Sequence, residues 1–62
     1  MASKLVGYYD VIGKELGFQA RMKLAMLTKI SSTDAQSAPD SPANIQLFEQ
    51  SVGAIRKELV RS

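Results

Sequence analysis

The sequence predicts an all-α fold: a two-helix hairpin that pairs with a second copy of itself as an antiparallel four-helix bundle. Three observations lead there. Two stretches with the apolar spacing of helices flank one polar, turn-prone connector. The first stretch is longer than the second and carries apolar residues on two faces, which a surface helix of a monomer does not need. The chain has only 62 residues and no cysteine to staple them. Apolar burial in an ideal globule of this size contributes about 90 kcal/mol, and ordering the chain at ~1.5 kcal/mol per residue removes about as much.

The first helix is expected over about 3–30, a run without proline. At about 100° per residue, Leu5, Tyr9, Ile12, Leu16, Ala20, Leu27 and Ile30 share one stripe, with Tyr8 and Met26 on its flank. Val11, Phe18, Met22 and Ala25 fall on a second patch about 120° away. A break at Gly17 is the alternative, because Ile12 to Phe18 resembles the first helix and turn of a helix-turn-helix. Three features argue against it: no capping residue follows Gly17, Lys23 stands where such a fold wants an apolar side chain, and no third helix is adjacent.

The connector is expected over about 31–41, in the polar run Ser31 to Ser41. The second helix is expected over about 42–60, with Ser41 as N-cap and Pro42 in the first turn. Ile45, Phe48, Val52, Ile55 and Leu59 form its seam. Because the first helix is longer, the end bearing Leu5, Tyr8, Tyr9 and Ile12 is expected to stay uncovered until a second chain arrives. The expected dimer or partner interface is therefore Leu5, Tyr8, Tyr9 and Ile12 together with Val11, Phe18 and Met22.

Composition excludes several kinds of chemistry. The absence of cysteine and histidine removes thiolate and imidazole metal ligands and the usual general base near neutral pH. The six acids are scattered, so no oxygen-ligand cation site is expected, and no cofactor or catalytic residue is assigned. The N-terminal sequence MASKLVGYYDVIGKE has no long apolar core, so neither a secretory signal nor a membrane span is expected, and the location is read as cytoplasmic.

Two local features remain. Gly13 and Gly17 have the G-x-x-x-G spacing that allows close helix crossing. Lys23, beside Gln19, interrupts the main stripe, as a polar pair does when it fixes register or sends its head to water. The leading functional expectation is a non-enzymatic, homodimeric interaction module, an adaptor or small regulator. The alternative is a small nucleic-acid-binding regulator using Lys14, Arg21 and Lys29. In length and layout, though without a shared motif, the chain resembles the plasmid-encoded helical-hairpin dimers that bind paired RNA loops.

Overall fold

The computed structural model describes residues 4–61, over which the chain forms four helices: α1 (Lys4–Leu16), α2 (Phe18–Thr28), α3 (Ser32–Ala35) and α4 (Pro42–Arg61). Ser3, the expected start of the first helix, lies outside the described residues.

The expected single helix over 3–30 is two helices. Gly17 adopts φ 86° and ψ −172°, a backbone region open essentially to glycine alone. Its N–H still donates to the Gly13 carbonyl at 2.9 Å, closing α1, and its own carbonyl accepts the Ala20 N–H at 3.2 Å, opening α2. One residue thus ends one helix and begins the next. The three features that argued against this break have physical answers. Gly17 itself occupies the N-cap position, without a side-chain bond, and glycine is tolerated there. Lys23 leaves the core at the edge of α2 and reaches Glu58 at 3.0 Å. The third helix is α4, which arrives from beyond the connector.

The three long helices pack pairwise, α1 on α2, α2 on α4 and α1 on α4. Their shared core holds Leu5, Tyr9 and Ile12 from α1, Ala20 and Leu24 from α2, and Phe48, Val52 and Ile55 from α4, with Ala35 of α3 closing one side. Phe48 is its centre: its ring lies 5.8 Å from those of both Tyr8 and Tyr9, edge-on to Tyr9 at 75°. The overhanging end expected for the first helix does not exist. Once α2 folds back, Leu5, Tyr9 and Ile12 are covered by the chain's own helices.

Thr28 and Lys29 end α2. The Thr28 hydroxyl donates to the Leu24 carbonyl at 2.8 Å, and Lys29 takes the left-handed conformation, φ 62°, with its N–H on the Ala25 carbonyl. The connector expected over 31–41 is not all loop, since α3 lies inside it. Ser31 caps α3 by accepting the Asp34 N–H at 3.1 Å. Asp40 and Ser41 then cap two different helices. Both Asp40 carboxylate oxygens accept the Lys4 N–H at 3.1 Å, placing a negative charge at the positive end of the α1 dipole. Ser41 Oγ accepts the Asn44 N–H at 3.2 Å, the N-cap bond expected for α4, with Pro42 in its first position. Across the helix pairs, Arg56 grips Glu15 with two bonds of 2.9 and 2.8 Å, and Tyr8 donates to Glu49 at 3.2 Å. Among the described residues no helix is long and apolar enough to cross a membrane.

Candidate interaction surface

α2 is the helix that differs from its neighbours. Its buried face is Ala20, Leu24 and Thr28, one residue per turn. Lys23 and Leu27 flank that face on one side, Arg21 and Ala25 on the other. The face pointing directly away from the core carries Phe18, Met22 and Met26, which are 71%, 53% and 70% exposed, together with Gln19. Apolar side chains therefore stand on the outer face of α2 as well as the buried one, with Gln19, Arg21 and Lys23 between them. The outward faces of α1 and α4 are mostly polar by contrast, with Lys4, Asp10, Lys14 and Glu15 on one and Gln46, Glu49, Gln50 and Lys57 on the other.

The surface has relief as well as composition. Phe18, Met22 and Met26 stand four residues apart and form one ridge along the helix. Beside them Phe18, Arg21, Met22 and Ala25 line a groove of about 180 Å³, floored by Tyr9, Ser31 and Ser32. A second depression, of about 310 Å³, runs from Phe18 and Arg21 to Lys14, Asp10 and Gly13 of α1.

Arg21 forms the wall between the two hollows, and its position is fixed from below. Its guanidinium carbon stands 5.9 Å from the centre of the Tyr9 ring. Its stem crosses Gly13, where an added Cβ would meet Arg21 Cδ at 2.9 Å. The two glycines of the G-x-x-x-G pattern thus have separate purposes: Gly13 makes room for Arg21, and Gly17 turns the chain. Burial pushes the Tyr9 phenol above its ordinary value of 10.0, with Asp34 adding to the rise while the Thr28 hydroxyl and Arg21 oppose it. Tyr8 is also raised, first by desolvation and then by the Glu49 carboxylate, which accepts its hydrogen bond and whose charge lies close by.

The residues proposed from sequence separate into three groups. Leu5, Tyr9 and Ile12 are buried in the core of the single chain, with Tyr9 also at the base of both hollows beside Arg21. Tyr8 and Val11 line an apolar groove of about 350 Å³ between α1 and α4, together with Gly7, Val52, Lys4 and Arg56. Phe18 and Met22 remain together on α2. The patch of Val11, Phe18, Met22 and Ala25 is therefore divided, because the turn at Gly17 rotates α2 away from Val11. Met26, assigned to the flank of the buried stripe, completes the outer ridge instead. Its spacing of four from Met22 was the available signal. Of the three bases in the nucleic-acid alternative, Lys14 and Arg21 share the hollow of about 310 Å³, while Lys29 stands at the far end of α2. No family model, curated protein or solved structure matches the chain.

Proposed function

We propose that the chain is a non-enzymatic, self-associating interaction module whose working surface is the outer face of α2. The observation that carries this reading is the ridge of Phe18, Met22 and Met26 exposed on a helix whose other side is already buried. Scattered apolar residues are normal on protein surfaces, but three in one row on one helix make a patch. Two methionines and a phenylalanine also suit a contact that must adapt to its partner. The residue inventory, without histidine or cysteine, favours binding over catalysis. The test is Phe18→Glu. Because Phe18 faces solvent, the variant keeps its helical circular dichroism while its self-association weakens at least tenfold. Unchanged association would remove the outer face of α2 from the reading.

The nucleic-acid alternative has one observation in its favour, the hollow that joins Lys14 to Arg21. Against it stand Asp10 in the same hollow, the hold of Tyr9 on Arg21, and an apolar ridge where a base-reading helix would carry donors and acceptors. Binding through phosphates would weaken steeply with salt and fall when Lys14 and Arg21 become Glu.

A further inference from the structure

We infer that Gly17 is a hinge about which α1 is exchanged between two copies of this chain, α1 and α2 of each copy joining into one straight helix. Each α1 then fills the place that the other copy's α1 has left. The inference does not use the outer face of α2. It concerns faces whose cover is visible in the closed chain, the core sides of α1, α2 and α4.

The connection between α1 and α2 is one residue long. Connections this short invite exchange, because a single residue has to straighten. Nothing else in the segment resists a helix. Residues 4–28 contain no proline, and the Gly17 N–H already bonds to the Gly13 carbonyl at 2.9 Å as a helical residue does. In a continuous helix the N–H groups of Phe18, Gln19 and Ala20 reach the carbonyls of Lys14, Glu15 and Leu16, where the turn gives Ala20 the Gly17 carbonyl instead.

The core-facing residues keep a common helical spacing through the turn. Tyr9, Ile12 and Leu16 of α1 are followed by Ala20, Leu24 and Thr28 of α2, and the step across Gly17 is four, as it is on either side. A turn frees two helices from any shared spacing. One helix running through Gly17 requires it, since its apolar stripe must stay on one side.

Exchange also restores every contact that α1 makes. The Asp40 carboxylate on the Lys4 N–H, Tyr8 on Glu49, Tyr9 on the Ile30 carbonyl and Arg56 on Glu15 all form again between chains. Two closed chains and one exchanged dimer therefore differ in two hinges and in the freedom lost when chains join. Glycine occupies φ 86° without strain, so it keeps the closed chain as the resting form. Exchange is slow, because α1 must leave one core before it enters another.

Gly17→Ala tests the hinge, in chains that also carry Phe18→Glu so that association through the outer face of α2 is removed. Alanine strains the turn and suits the helix, in both copies of a dimer. After unfolding and refolding at hundreds of micromolar, the double variant is expected to dimerise about thirtyfold or more strongly than Phe18→Glu alone. The chain has no cysteine, so introduced thiols identify the neighbours. Double-variant chains bearing Glu15→Cys, refolded with others bearing Arg56→Cys, are expected to be joined across chains by a short bis-maleimide. Asp10→Cys in place of Glu15→Cys, on the exposed side of α1, is expected to react with Arg56→Cys at least tenfold more slowly. A double variant that stays a folded monomer would overturn the hinge, and so would a dimer in which the Glu15 and Arg56 positions are not joined across chains. Loss of helical circular dichroism at every concentration would overturn it too, since exchange restores the core of each half. None of these results bears on Phe18 itself, so the function proposed above stands or falls separately.

Discussion

The Tyr9 hydroxyl donates to the Ile30 carbonyl, tying the middle of α1 to the segment just beyond α2. The two residues are 21 apart in sequence, which in an unbroken helix would separate them by about 31 Å. The bond thus exists only because the chain reverses at Gly17, and it fastens that reversal from the open end. The Thr28 hydroxyl lies 3.2 Å from the same carbonyl, but its one proton is shared with the closer Leu24 carbonyl at 2.8 Å.

Tyr9→Phe is accordingly expected to lower stability by about 1 kcal/mol at neutral pH, the usual worth of one such bond. The pH dependence has a definite sign. The folded state raises the Tyr9 phenol above 10.0, so its contribution is complete below pH 10 and is lost as pH rises through the folded value. Tyr8 acts in the same direction. Urea unfolding above pH 10 should show wild type losing stability with pH more steeply than Tyr9→Phe. A parallel loss in the two proteins would mean that Tyr9 does not titrate with unfolding.

The glycines are expected to separate cleanly. Gly17→Ala forces a side chain into its glycine-only conformation and is expected to cost about 1–3 kcal/mol. Gly7 lies inside α1 with open space where a Cβ would go, and Gly7→Ala is expected to gain about 0.5–1 kcal/mol. Thermal unfolding of both variants checks the pair, with midpoints moving in opposite directions by several degrees. Equal and small shifts would mean that the turn at Gly17 is not held in solution.

Lys23→Leu is expected to change little. The ion pair with Glu58 is half exposed, at 38% and 65%, and such pairs contribute about 0–1 kcal/mol. The variant should unfold within about 1 kcal/mol of wild type and associate as wild type does. A change in the number of chains in the assembly would put Lys23 in an interface between copies rather than at the edge of α2 on α4.

The sequence was legible where the signal is local. Helical class, the seam of α4 and its Ser41 cap follow from spacing and cap chemistry, and the structure has them. The fold of the first half was not, because its decisive residue carries no side chain. Gly17 is compatible both with a tolerated glycine inside a long helix and with a sharp turn, and the choice between them is made by distant partners: Ile30 for Tyr9, Glu58 for Lys23, and α4 for the face of α2. The candidate surface suffered from the same ambiguity. Phe18 and Met22 were identified as an extra apolar patch, yet their grouping with Val11 held only for a continuous helix. Met26 joined them only once α2 had its own axis. Capping of α1 by Asp40, 36 residues away, had no local signal at all.

The central proposal is that the outer face of α2 holds two copies of this chain together, and sedimentation equilibrium from about 1 to several hundred micromolar tests it most directly. Wild type is expected to rise from the monomer mass of 6.8 kDa toward twice that value, while Phe18→Glu stays near the monomer mass throughout. A wild-type mass fixed at that of the monomer over the whole range would contradict the claim, and so would a Phe18→Glu curve that overlays the wild type.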